Sequence, residues 1–336
     1  MRIFVISVVL VGFSALAMAI SPQNPPRQPP PPKPGIKNAS LRISAELLKP
    51  DAVFEIGGNP DWMAIDEHVW ISNEGKNQIT RIDPKTNKIV EHVATGGPCS
   101  GLAAGFGTLW APNCRDKKLE RIDLKTGKPT ATLPLAAPSS EGGVAVGAGS
   151  FWMMIDDKGT LARVDPATNK VVAEIYVAPG SFAVAFMDNA VWATSTEKSV
   201  VTKVNAQSNV VEETIAVGPK PRFLATGEGS VWTLNQGDGT ITRIDGKSNK
   251  VVATIEAGIP GGGGEIAVGE GSVWVTVFQY PLTRIDPKTN KVAQQFYGPG
   301  GDSVRVGHGS VWLADLRAGK LLRLDPKRIE ATAGEK

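Results

Sequence analysis

Cysteine is almost missing from this 336-residue sequence, which has two, Cys99 and Cys114. With no histidine near either, a metal pair or a catalytic thiol lacks support. Neither sign of charge is in excess: 36 Lys and Arg against 33 Asp and Glu leave a net +3. No stripe of basic residues interleaves with exposed aromatics, so nucleic acid is not an expected partner. The glycine run Gly261 to Gly264 lacks the Lys and Ser/Thr of a phosphate-binding loop. Its glycines could still let a phosphate or carboxylate approach backbone N–H groups. Histidine is also scarce, at three residues.

A long apolar run sits at the amino terminus. Met1 to Ala19 carry one charge, Arg2, and end in Ala17-Met18-Ala19, the pattern of a secretory signal peptide with a small-x-small cleavage site. Removing it leaves a net charge of +2 (the +3 of the whole chain less Arg2). No cysteine follows the run, which excludes a lipid-modified amino terminus. The expected location is periplasmic or secreted, with membrane contact only through an uncleaved signal sequence. Between Ser21 and Lys37, eight of seventeen residues are Pro, as in an extended, disordered spacer. The expected division is a signal peptide over 1–19, a spacer over 20–44, a folded domain over 45–328 and a disordered tail over 329–336.

What the folded part does have is a repeat. Trp70, Trp110, Trp152, Trp192, Trp232, Trp274 and Trp312 are spaced by 40, 42, 40, 40, 42 and 38 residues. Each is followed ten or eleven residues later by a basic residue, a β-branched residue or Leu, and Asp or Asn. A period near forty, with strand-like alternation of apolar residues, marks a propeller blade of four short strands. Phe223 to Thr226, Val231 to Leu234, Thr240 to Ile244 and Val251 to Ile255 illustrate one blade, with turns at Gly227 to Ser230 and Asp245 to Lys250. The seventh repeat ends at Pro326 without a fourth strand, while Ala52 to Ile56 resembles one and precedes the first repeat. The fold class is therefore all-β: a seven-bladed β-propeller of four-stranded blades, closed by an N-terminal strand that completes the last blade and removes open edges. The charged turns Asp-Pro-Lys-Thr-Asn-Lys, as at Asp83 to Lys88, share one face, where a solubilising ring of lysines results.

A residue type repeated in every blade is explained by blade geometry, so the tryptophans are assigned to packing. The basic series Arg81, Arg121, Arg163, Lys203, Arg243, Arg284 and Arg323 is likewise assigned to the scaffold, as are the acidic residues that begin the turns. Residues found in one blade only are the candidates for function. They occur in the segments leading into the innermost strands, which with the loops between second and third strands ring one mouth of the channel. Asp61, Trp62, Ser100, Glu141, Arg222, Glu265 and Asp302 converge there, with Ser181 and Ser303, and Arg305 lies slightly deeper. Grouped carboxylates suit a hard cation such as Mg²⁺ or Ca²⁺, with Glu141, Glu265 and Asp302 as the metal candidates; they also push pKa values apart, as acid–base work requires. The alternative is a solvated polar mouth. His68 and His308 fall in turns at the opposite face and His92 in a fourth strand, which argues against zinc and a histidine base. Cys99 and Cys114 lie symmetrically about the hairpin near Phe106, and a disulfide between them is expected.

The phrase Gly-Glu-Gly-Ser-Val-Trp at Gly227 to Trp232, with Thr-Arg-Ile-Asp-Pro-Lys-Thr-Asn-Lys-Val at Thr283 to Val292, resembles secreted bacterial propellers of the YVTN type and of the streptogramin (virginiamycin B) lyase family. The likeness runs from Ala52 to Lys327. In those lyases a magnesium ion, glutamates and a histidine at the mouth open a cyclic ester by elimination. The resemblance implies that Glu141 and Glu265 stand at the glutamate positions, and no residue here matches the histidine. The expected function is a monomeric module that binds a small molecule or protein at the mouth; a metal-dependent lyase or lactonase-like enzyme is the alternative, and a redox subunit has no evident cofactor ligands.

Overall fold

Strand-forming runs separated by Gly- and Asn-containing turns fold into seven sheets in a computed structural model that describes residues 33–138 and 141–332. Each sheet is a meander of antiparallel neighbours. Blade five is representative: Pro221–Gly227 innermost, then Ser230–Asn235, Thr240–Asp245 and Lys250–Glu256. The ring closes as the sequence predicts. Ala52–Glu55 pairs antiparallel with Lys320–Leu324, in a register that sets Ala52 against Arg323, and becomes the outer strand of blade seven. Residues 1–32, where a signal peptide and most of a spacer are expected, and residues 333–336 of the expected tail lie outside the described residues.

The repeated residues carry the packing. All seven blade tryptophans are fully buried, and the pairing register sets each directly across from a basic residue on the third strand, as Trp232 against Arg243 and Trp312 against Arg323. In six of the blades that cation lies over the indole, 4.5 to 5.3 Å from its centroid. Five of the seven inner strands end in a glycine packed against the next blade. A Cβ on Gly227 would come within 2.5 Å of the Val268 side chain on the next blade, so a larger residue there would have to displace it.

The basic series also joins neighbouring blades. Arg163 of blade three donates to Ala206 O at 2.8 Å and Asn209 Oδ1 at 3.0 Å in the turn of blade four. Arg243 of blade five reaches Pro287 O at 2.6 Å and Asn290 Oδ1 at 2.8 Å in blade six. Arg323 of blade seven does the same to Pro84 O and Asn87 Oδ1 of blade one, which clasps the ring shut. The turn asparagines thus have two tasks. Asn87, Asn209 and Asn290 adopt φ of 53°, 58° and 55°, a region Asn tolerates better than most residues, and each offers its side-chain oxygen to the preceding blade.

Two boundaries differ from the sequence expectation. Residues 33–44, assigned to the spacer, are ordered against blade six: Lys33 N donates to Gln279 Oε1 at 2.8 Å, Ile36 N to Gln295 Oε1 at 2.7 Å, and Arg42–Ser44 pairs parallel with Gln295 to Tyr297 as a fifth strand. Buried Ile43 anchors this strap. Proline content masks the segment, because its partners Gln279 and Gln295 lie about 250 residues away in sequence. At the other end, Asp325-Pro326 begins a helix, Pro326–Ala331, rather than a turn. Asp325 caps it by accepting from Lys327 N at 2.8 Å, and buried Ile329 docks it, so the tail begins later than 329.

Candidate functional site

The lead-in segments and the loops between second and third strands meet at one end of the channel, around a cavity of about 250 Å³. Asp61, Glu141 and Asp302 line it, together with Glu74, Cys99 and the apolar side chains of Pro98, Phe278 and Leu316. Backbone irregularities aim several of these groups. The pairing of Pro60–Ile65 with its neighbour slips between Pro60 and Met63, which places Asp61 and Trp62 in a bulge. A similar slip between Pro221 and Phe223 holds Arg222. Gly264 has φ +92°, and a Cβ there would meet Thr276 O at 1.8 Å. This glycine lets the loop turn tightly enough for its N–H to reach Asp302 Oδ1 at 3.0 Å.

Guanidinium groups stand among the carboxylates. Glu265 is buried, forms an ion pair with Arg305 through one oxygen, and with the other accepts from Ser303 Oγ at 2.5 Å and Val304 N at 3.1 Å. Arg222 acts electrostatically on Glu141 and lies over the Phe182 ring at 4.4 Å. Arg317 lies over Phe278 at 4.8 Å and acts on Asp302. Asp61 is different: among the described residues no hydrogen bond reaches its carboxyl. Burial, then the charges of Asp302, Glu141 and Glu265, hold it well above the usual carboxylate range against the opposing pull of Arg305. Burial and the same neighbours push Asp302 up to about 6 despite its backbone hydrogen bond. Burial also raises Glu141. The mouth therefore holds carboxyls whose hold on the proton is raised by burial and by one another's charge, as in paired acid–base groups.

The other candidates divide. Ser100 Oγ donates to Gly142 O at 2.5 Å and Ser181 Oγ to Ala178 O at 2.6 Å, so these hydroxyls secure loops. Trp62 is buried in the core with its ring 6.0 Å from Phe223 and offers no platform to a ligand. Cys99 and Cys114 form the expected disulfide, with Cα atoms 5.7 Å apart. It fixes the cavity wall at Cys99. Gly263 lines the cavity, and its carbonyl accepts from Gln236 Nε2 at 3.2 Å. Sequence reasoning missed Glu74, Phe278, Leu316 and Arg317. All four sit in loops between second and third strands, and each is confined to one blade, so the test applied to the lead-in segments would have found them.

No protein-family model matches this sequence, and no curated protein matches it. Solved structures do. A streptogramin B lyase structure matches with TM-score 0.68 at 18% identity, over 82% of this chain and 97% of that one. The fold is that of the streptogramin B lyases. Virginiamycin B lyase from Staphylococcus aureus matches in selenomethionine-substituted form with TM-score 0.68 at 16% identity, over 82% and 98% of the two chains. A catalytically inactive form of that enzyme with quinupristin matches with TM-score 0.69 at 18% identity, over 82% and 99%. At such identity the likeness establishes architecture, and function has to be read from the site.

Those lyases imply a magnesium ion, and the mouth residues do not form a ready site for one. Among the described residues no group of three His, Cys, Asp or Glu side chains comes within joint reach of a metal. Both Glu265 oxygens are engaged by Arg305, Ser303 and Val304 N. His68 lies behind Trp70, His92 bonds Thr80 Oγ1 at 3.0 Å and His308 bonds Asp66 O at 2.9 Å, all away from the cavity.

Proposed function

We propose that this propeller is a binding module whose axial mouth takes a small molecule or an exposed segment of another protein. The observation that carries this reading is the separation of residues. Those repeated in every blade build the ring, and several of those confined to single blades line one cavity that combines carboxyls with apolar surface, a mixture typical of ligand sites. Its expected location is periplasmic or secreted: a disulfide persists in an oxidising compartment, and among the described residues no helix is long and apolar enough to cross a membrane. The test is a thermal-shift screen of small molecules and peptides against the wild type, Phe278→Ala and Asp302→Asn. A ligand whose stabilisation is lost in either variant supports the mouth. Ligands that stabilise all three proteins equally overturn it.

A second reading is favoured by the titration behaviour of the mouth. Asp302, raised to about 6, and Asp61 together offer a base and an acid, which an elimination or a lactone hydrolysis needs. The structural neighbours are lyases. Opening of the quinupristin ring, followed by mass spectrometry with and without Mg²⁺, Ca²⁺ or a chelator, separates this reading from pure binding. Turnover abolished by Asp302→Asn establishes an enzyme, and an unchanged substrate in every condition excludes this lyase activity.

A further inference from the structure

We propose that the ligand taken by the mouth is an organic cation, an amine or guanidinium carried on a small apolar body. This deepens the reading of the mouth as a ligand site and rests on it. The argument begins with a count of opposed groups. Glu265 has Arg305, Glu141 has Arg222, and Asp302 has Arg317 together with the Gly264 N–H. Asp61 makes a fourth carboxylate, for which the mouth holds no fourth guanidinium. It faces the cavity, and among the described residues no donor bonds it. Glu74, also on the cavity wall, adds to the same sign of charge.

Half-buried at the cavity wall, crowded by Asp302, Glu141 and Glu265 and bonded by no donor, the Asp61 carboxyl is costly to ionise. A cation seated against Asp61 resolves this, since its N–H groups supply the missing hydrogen bonds and its charge offsets the field of Asp302, Glu141 and Glu265. The protein's own donors cannot be recruited instead. Arg305 is held by Glu265 and by Val304 O at 2.8 Å, and Arg317 is laid over Phe278. The rest of the wall fixes the remainder of the ligand. Pro98, Phe278 and Leu316 present apolar surface beside the acids, so a bare metal ion or a fully hydrated polyamine would leave that surface wet. Gly263 sets the distance, because a Cβ there would meet the Phe278 ring at 2.4 Å. An anionic ligand would have to displace the carboxylates from their own arginines.

Three probes of one shape and different charge decide the matter: benzylammonium, benzyl alcohol and benzoate, titrated calorimetrically into the full folded protein at pH 7.5. The expected result is binding of benzylammonium alone. Asp61→Asn should weaken it roughly tenfold or more, as expected for loss of a charge-assisted hydrogen bond, and Phe278→Ala should weaken it less. Asp61→Ser, smaller and also neutral, guards against a folding defect peculiar to Asn. Equal or tighter binding of benzyl alcohol or benzoate, lost in Phe278→Ala, would overturn the cation while leaving the mouth as a ligand site. Benzylammonium binding unchanged in both Asp61 variants would overturn the assignment of Asp61, and absence of benzylammonium binding in the wild type would overturn the inference as a whole.

Discussion

Replacing Asp302 by Asn should stabilise the protein at neutral pH and not at pH 4. Asp302 titrates near 6 in the folded chain against an ordinary 3.8, chiefly because it is buried and beside Glu141 and Glu265. The sign follows from linkage. A carboxyl whose folded pKa is raised binds more protons in the native state, so its contribution is fully present below the unfolded value and is lost as pH rises through the folded one. The difference between 3.8 and about 6 corresponds to about 3 kcal/mol, taken as a ceiling because the same field is shared with Asp61 and the two titrate together. Asn keeps an oxygen for the Gly264 N–H and never ionises. Urea unfolding of both proteins at half-unit steps from pH 4 to 7.5 should show the difference in favour of the variant growing by about 1 to 3 kcal/mol across that range. The turn aspartates Asp83, Asp123, Asp165, Asp245 and Asp286 are held below their ordinary values by backbone and hydroxyl donors. Their contribution has the opposite sign and is already complete before this window opens, and it cancels between the two proteins. A difference that stays flat from pH 4 to 7.5, or that turns against the variant as pH rises, refutes the picture of crowded, buried mouth carboxyls.

Arg323→Met should cost about 2 to 4 kcal/mol in urea unfolding, since it removes charge-assisted bonds to Pro84 O and Asn87 Oδ1 and the stacking on Trp312; Arg323→Lys should recover part of the loss, as Lys203 in blade four manages with a single bond to Asn249 Oδ1 at 3.1 Å. An Arg323→Met protein as stable as the wild type would show that ring closure does not depend on this clasp. Reducing the disulfide, or making Cys99→Ser with Cys114→Ser, opens a loop of sequence separation 15 and should lower stability by about 3 kcal/mol by chain entropy. Because Cys99 lines the cavity, the same change should weaken ligand responses at the mouth; an unaltered urea midpoint in reducing buffer would contradict both expectations.

How much of this was legible in the sequence depends on whether the signal repeats. The seven tryptophans, their cross-strand basic partners and the spare strand Ala52–Glu55 announce the ring, because each blade restates the same packing problem and solves it with the same residues. The disulfide follows from hairpin symmetry. Residues 33–44 were hidden because what orders them is contact with distant residues, above all the buried Gln295, which accepts from Ile36 N. Burial of that side chain is visible only after folding. The mouth was half legible. Asp61, Glu141 and Asp302 stand out as one-blade residues and do line one cavity, but Glu265 looks identical to them in sequence and differs only through Arg305, Ser303 and Val304, which the fold delivers to it. Trp62 shows the reverse case, a residue confined to one blade that the core absorbs.

The seam between blades six and seven shows why both ends of the chain gather there. In five blades the cation reaches an Asn-containing turn on the next blade, as Arg163 and Arg243 do, and in blade one Arg81 reaches the Lys125 carbonyl of the next turn. Blade seven has no such turn, because its outer strand comes from the amino-terminal side and the chain after Leu324 is free to do something else. Arg284 therefore has no asparagine to hold. The helix Pro326–Ala331 fills the gap: Glu330 pairs with Arg284, and the Ile329 carbonyl accepts from Gln294 Nε2 at 2.7 Å. With Gln294 committed to the helix, its neighbour Gln295 is left to face the other way, where it accepts from Ile36 N and donates to Ala257 O at 2.9 Å, holding the strap. The strap in turn bonds the loop before Glu265, through Gly35 N to Gly258 O at 2.7 Å and Lys33 Nζ to Pro260 O at 2.6 Å. Closing the ring with a strand from the opposite terminus thus creates a local vacancy in the repeat, and the residues that fill it reach the segment that carries Gly263 and Glu265 to the mouth.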